Sequence, residues 1–559
     1  MWKIFSTFFL IFLCANNSFA DLPFKKFSYF SNYGGLNDSL ASTAIADNEA
    51  TSIQNIVFDT AGAISKRYGY QNITPTTGNV YQIGLGNNAV TGLTYYVNNT
   101  TGNKYLVAIA NVSGQATGYE KQLDSSNNIP VGPWTSIGSS LLPSNYTNDE
   151  QPNFTIDNNQ LIITFPAFQG WQPLAWQATA NIYAFSNSAN NVVNATMCAY
   201  FNNILFLAGD PNNKTRVSFS NLSGAVNNFV VTDFFDIDKN NGHFITALVP
   251  AFGNLYIFED NSIWMLTGSS RDTFAVQKMV DNVGTLSPHS VFVVNNDIYF
   301  ITKQNDIALY DGTFTVKYLS SKIRNTIGSN NFNRASEALG IGFSSYKYKD
   351  LDYYVSESTS GSGTNNQVLV FDTDKEAWTK FNNINPDSWT VIPSSTGQDI
   401  LVFGDYNGLV YYYPNIGTYN DVSNACTGGA CTATSPSIYA LYQTKWFTFP
   451  DASLGDKYVR VLKTYIQNST LSSTLTTNVN YDYVSPGITF TYTFNPMGSL
   501  WGSALWGSSF WESTQSLNID REEPNVGKQM FQIQYSNNTA SQDMTVLGYE
   551  VFVEPTSQL

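Results

Sequence analysis

Histidine is almost missing from these 559 residues: there are two, His243 and His289. That scarcity excludes a zinc site built on several imidazoles. Arginine occurs seven times, and Lys plus Arg (27) fall short of Asp plus Glu (42), giving a formal charge of −15. Affinity for DNA comes mainly from cations that neutralise phosphates, so this chain is no general nucleic-acid binder, although an acidic protein can surround DNA without gripping it. Charged residues make up only 12% of the chain, too few for a fold of charged amphipathic helices. No apolar run after the first 20 residues is long enough to span a membrane. Also lacking are a glycine-rich phosphate loop, a nucleophile elbow and a metal-ligand cluster. No catalytic residue, metal or cofactor is therefore expected. His289, after Pro288 at a strand start, and His243, beside Gly242 in a turn, read as structural.

What the chain has in abundance is aromatic residues, 15% of the total, with 34 Tyr, 38 Phe and 11 Trp. Aromatics suit cross-strand pairs in sheets. From Gly253 to Gly312 the pattern is a short apolar strand, a turn of Asp, Asn or Gln, and a second short apolar strand, twice over. Each such unit is a β-hairpin. Leu93–Val97 with Tyr105–Ile109, Asp352–Val355 with Gln367–Asp372, and Ile400–Phe403 with Gly408–Tyr413 repeat it at intervals of about 40–50 residues, the period of a propeller blade. The fold expected is all-β: a β-propeller of six to eight blades over about 88–440, preceded by an arm and first strands at 21–87. From about 441 the strands lengthen and alternate strictly, as in Tyr458–Ile466 and Gly487–Phe494, which predicts a small C-terminal β-sandwich over 441–559. Asp47 is expected to cap one helical turn in the arm.

Residues 1–20 read as a secretory signal: Lys3, an apolar run from Ile4 to Ala15, then Ser18-Phe19-Ala20 before Asp21. Cys198, in Met197-Cys198-Ala199-Tyr200, reads as a core residue. Cys426 and Cys431 bracket Thr-Gly-Gly-Ala and form either a small disulfide loop or two free thiols. Asp236 to Gly242 imitates a calcium loop but has glycine at its seventh position and Ala247 where a bidentate Glu belongs, so it reads as a turn. Leu369–Trp378 resembles a kelch-type blade segment with Trp378 packed between blades; it lacks the Ser and Gly of a sialidase-type Asp box. Trp501, Trp506 and Trp511 recur every five residues, a spacing that fits neither strand nor helix. They serve either as packing against the sandwich or a neighbouring subunit, or as an exposed aromatic platform for a glycan or partner.

The order of motifs is informative. Gly34-Gly35-Leu36-Asn37, Asp47-Asn48-Glu49-Ala50, Gln54-Asn55 with Phe58-Asp59, and Lys66-Arg67-Tyr68-Gly69-Tyr70 come first. Asn254-Leu255-Tyr256 with Ser262-Ile263-Trp264, Val283-Gly284 with Ser287-Pro288, and Tyr310-Asp311-Gly312 follow. The series, over roughly 27–320, resembles the β-propeller proteins at the distal tail of short-tailed double-stranded DNA bacteriophages, known as nozzle, tail-tubular or packaged-DNA-stabilisation proteins. The resemblance implies a structural virion protein with no catalytic residues. It implies a homo-oligomeric ring, often of six copies, below the portal and adaptor and near tail fibre or needle proteins, through which DNA passes without specific binding. Virions assemble in the cytoplasm, whereas the leader directs export. The alternative is a secreted, periplasmic or cell-surface propeller that binds a glycan or protein, with an exposed Trp repeat and an oxidised Cys426–Cys431 pair.

Overall fold

The computed structural model describes residues 25–30, 33–59, 62–73, 82–83, 88–130, 132–166, 172–178, 181–185, 194–220, 229–230, 232–329, 337–345, 349–394, 397–427, 430–448, 457–467, 472–494 and 517–555. Seven four-stranded antiparallel sheets form the blades of a β-propeller. In chain order they span Gly92–Gly138, Asn153–Ala184, Met197–Asp236, Ile245–Asp281, Phe292–Tyr318, Leu339–Asn382 and Ser388–Asn415. The first strand of each blade lies innermost, and that of blade 7, Ser388–Ile392, packs beside that of blade 1, Gly92–Val97, so the ring closes. Blade 7 brings only three strands of its own. Its fourth is Gly69–Asn72, from far upstream, paired antiparallel with Val410–Asn415.

Local chemistry accounts for the blades. A two-residue turn that matches strand twist needs positive φ at both central positions, which Asn and Gly tolerate best. Asn158-Asn159, Asn202-Asn203 and Asn295-Asn296 supply it between the first two strands of blades 2, 3 and 5, with φ of 42° and 66°, 50° and 62°, and 48° and 72°. The strands between are apolar on both faces because each sheet is covered on both sides by its neighbours. Val107, Ile109, Leu161 and Trp176 fill the seam between blades 1 and 2; Phe206, Val217, Leu255 and Ile257 fill that between 3 and 4; Phe258, Ile263, Ile298 and Phe300 fill that between 4 and 5. Trp378 is buried as expected, its Nε1–H donating to the Leu319 carbonyl at 2.9 Å across from blade 6 to the end of blade 5.

The boundaries expected at 87/88 and 440/441 are redrawn. Sheets formed by the C-terminal strands are completed by the arm: Lys25–Phe30 pairs with Thr545–Pro555, Ile64–Lys66 pairs with that same strand, and Ala50–Gln54 pairs with Ala440–Thr444. The result is one sheet around Lys457–Gln467 and Thr545–Pro555, and a second in the order Ala50–Gln54, Ala440–Thr444, Phe531–Asn537, Ser473–Tyr481, Val484–Phe494. Their inner faces, with Leu462, Val546 and Val551 from the first and Ile53, Val479 and Ile533 from the second, share one core. That core runs without a break into the seam between blades 5 and 6, through Tyr299, Tyr353, Phe371 and Trp378. Residues 441–559 therefore do not stand as a separate sandwich. Asp47 caps no helix either: its surroundings are turns, and it pairs with Lys445 at 2.8 Å.

Candidate functional site

Among the described residues, buried polar side chains tie several elements together at the joint between the propeller and the two-sheet body and beside a cavity. At the joint the arm crosses the outer strand of blade 6, Ala377–Asn382. Gly35 has φ +81°, and a Cβ there would lie 2.8 Å from the Trp378 nitrogen, so the backbone passes too closely for any side chain. Next to it Leu36 N donates to Trp378 O at 2.8 Å. Asn37 Nδ2 and Ala46 N both donate to Glu49 Oε2, at 2.7 and 2.9 Å, and Lys322 lies 3.0 Å from Oε1. Against its burial, these partners hold the Glu49 carboxyl below the usual carboxylate range.

Arg67 is the centre of this joint. Its guanidinium makes a bidentate pair with Asp421 at 2.8 and 2.7 Å, and both side chains are fully buried. Its remaining donors go to Asn55 Oδ1, Tyr68 O and Asn382 O, so arm, blade 6 and the stretch after blade 7 meet on one cation. Beside it, Lys66 donates to Asn537 Oδ1 at 2.7 Å and to Thr539 O at 3.1 Å; burial, then the neighbouring Arg67, push its ammonium down to about 7. In blade 4 the motif residues are equally committed to structure. Glu259 is buried and accepts from Ser262 Oγ at 2.5 Å and Trp264 Nε1 at 3.0 Å, and Thr285 N donates to its carbonyl at 3.2 Å. Ser287 Oγ reaches Ala338 O at 2.9 Å, which links the start of blade 5 to blade 6.

The second place is a cavity of about 530 Å³ beside the starts of the first strands of blades 2, 3 and 4 and the segment leading into blade 5. Its wall includes Asp149, Glu150, Gln151, Met197, Asp210, Lys214, Phe244, Leu286 and His289. Gln151 is buried, and its amide donates to the carbonyls of Asp387 at 3.0 Å and Glu337 at 3.4 Å, so the loops leading into blades 2, 6 and 7 are tied together. The Asp387 carboxyl is pushed well up by burial, then by Glu337, Asp149 and Asp405 around it. His289 Nε2 is 3.2 Å from the Gln151 carbonyl, which it meets as a donor, and burial pushes its imidazole down to about 4.

Of the residues singled out in the sequence, His289 lies in this cavity, whereas His243 is at the blade 4 turn, 2.9 Å from Asp260 through Nδ1. Asp236 pairs with Arg216 and Lys239, and Asp238 with Lys278. Cys198 is buried and receives Thr164 Oγ1 at 3.7 Å. Cys426 and Cys431 are direct partners across the hairpin Ser423–Thr427 and Ala430–Thr434, while their side chains lie outside the described residues. Trp501, Trp506, Trp511 and the leader also lie outside them. The cavity residues Asp149, Glu150 and Gln151 escaped the sequence reading. Their one signal is positional, an acid just ahead of an innermost strand, which recurs as Glu337 before Leu339–Phe343 and Asp387 before Ser388–Ile392.

No protein-family model matches the chain, and no curated protein matches it. Among solved structures it is similar to YCF48 with a bound peptide, at 10% identity, 61% of this chain, 97% of that chain and a TM-score of 0.35. It is similar to the extracellular domain of a putative hybrid two-component system from B. thetaiotaomicron, at 9% identity, 79% of this chain, 45% of that chain and a TM-score of 0.29. A β-fructofuranosidase from Schwanniomyces occidentalis is similar at 8% identity over 87% of this chain and 98% of that chain, with a TM-score of 0.24. Likenesses of this degree carry no functional argument.

Proposed function

We propose that this chain is a structural subunit of a short-tailed phage tail, a nozzle-type protein that assembles as a ring below the portal and adaptor, retains the packaged DNA and then conducts it, without catalysis. The observation that carries this reading is where the resembling motifs fall. Gly35, Leu36, Asn37, Glu49, Asn55 and Arg67 are partnered inside the joint, and Glu259, Ser262 and Trp264 inside blade 4. The first set fastens the propeller to a second body and the second braces blade 4, as suits a part whose task is shape. The charge of −15 agrees with a wall that repels phosphates. Peptide mass spectrometry on DNase-treated, gradient-purified virus particles from the source culture tests it: the chain is expected at several copies per portal. Absence from particles, with a form starting at Asp21 in the medium or periplasm, would overturn it in favour of a secreted binding propeller, a reading that the 530 Å³ cavity favours.

A further inference from the structure

Lys66 and Asn537 are each only 2% exposed. Lysine is almost never fully buried without an ionic partner. Yet among the described residues no carboxylate lies within ion-pair distance of Lys66, and its Nζ donates to two neutral oxygens, Asn537 Oδ1 at 2.7 Å and Thr539 O at 3.1 Å. Burial and the neighbouring Arg67 favour the neutral amine, whose two hydrogens those oxygens take and whose lone pair is then free. That is the state in which a lysine acts as a nucleophile. The Asn537 carboxamide is held in place on its other side: Nδ2 donates to Thr474 O at 2.7 Å and to Gln542 Oε1 at 3.3 Å, and Thr539 N donates to Oδ1 at 3.3 Å. With a C=O bond of about 1.2 Å, Asn537 Cγ lies no more than about 3.9 Å from Nζ. Atoms poised to react stand roughly 3–3.5 Å apart, so a small shift brings the amine onto the carbon.

We propose that Lys66 and Asn537 join through an intramolecular isopeptide bond. The Nζ lone pair attacks Cγ, the Cγ–Nδ2 bond breaks, and Nδ2 departs as ammonia carrying one proton from Nζ. Amine plus carboxamide gives secondary amide plus ammonia, so no oxidant, reductant or cofactor enters. The Thr539 N–H is placed to donate to Oδ1 as that oxygen gains charge, and burial keeps water from competing for Cγ. Lys66 ends the strand Ile64–Lys66 in one sheet of the body, and Asn537 ends Phe531–Asn537 in the other, 471 residues away. The bond therefore staples the two sheets together and closes the chain around the whole propeller. The inference is independent of the tail-subunit reading, since a secreted propeller with this joint would carry the same bond.

The test is mass spectrometry of the purified full chain under denaturing, reducing conditions. Its intact mass, counted from the observed N-terminus, is expected to fall short of the sequence by one ammonia. Tryptic digestion is expected to give a branched peptide in which Lys66, now resistant to cleavage, is joined to the peptide that holds Asn537. Lys66→Arg and Asn537→Ala should each recover the full mass and lose the branched peptide. Should both variants fail to fold, the wild-type chain alone decides the matter. A wild-type mass equal to that of the sequence overturns the proposal, as does an ammonia lost without a branched peptide, the mark of a succinimide, or a loss that persists in Lys66→Arg.

Discussion

Arg67 and Asp421 are a guanidinium and a carboxylate with no solvent contact, 354 residues apart in sequence and 2.7 Å apart in space. A buried pair of this kind contributes little net stability while whole, but removing one partner strands the other charge, at about 3–5 kcal/mol. Asp421→Ala is accordingly expected to lower the urea midpoint by an amount corresponding to that loss, read by tryptophan fluorescence. Glu357, buried in blade 6, has a titration consequence. Burial pushes its carboxyl up to about 8, so the folded chain holds a proton there that the unfolded chain releases near its ordinary value of 4.5. The contribution of Glu357 is fully present below pH 4.5 and is lost as pH rises towards 8, by at most about 1.4 kcal/mol per pH unit. Glu357→Gln should therefore gain on the native chain as pH is raised through that window. Parallel stability profiles for the two proteins would contradict the assignment.

At the scale of elements, the strand Gly69–Asn72 completes blade 7 as its fourth strand. A Cβ on Gly69 would lie 1.9 Å from the Asn420 carbonyl oxygen, so Gly69→Ala must push this strand off its seat. The expected cost is about 1–3 kcal/mol, typical of overpacking, with faster amide hydrogen exchange at Val410–Asn415 as its local signature. Unchanged exchange there would mean the strand does not hold blade 7. The hairpins themselves were legible in the sequence, because Asn-rich turns between short apolar strands carry their geometry locally. The closing strand was not: Gly69-Tyr70-Gln71-Asn72 is four residues whose partner lies about 340 positions away, and nothing local distinguishes it from the arm around it. The cavity was hidden for the same reason. Asp149, Asp210 and His289 are ordinary residues of three separate segments until the fold sets blades 2 to 5 around one opening.

For the whole molecule, the first and last strands of the described residues are woven into shared sheets, and their core is continuous with a propeller seam. A division into independent pieces should therefore fail. Fragment 441–559, deprived of Lys25–Phe30, Ala50–Gln54 and Ile64–Lys66, is expected to show no near-ultraviolet circular dichroism and rapid proteolysis, whereas co-expression with residues 21–440 should restore both. A fragment that folds alone would refute the interwoven account. The weaving also sets an order in time. Gly69–Asn72 leaves the ribosome early, yet the strand it pairs with ends at Asn415, and the neighbours of Ala50–Gln54 come later still. At common synthesis rates of roughly 5–20 residues per second, the first segments wait tens of seconds with their edges unpaired. The shared sheet that holds Lys25–Phe30 can form only when Thr545–Pro555 arrives to take that strand up, so a strand made among the first is seated by one made more than a full propeller later.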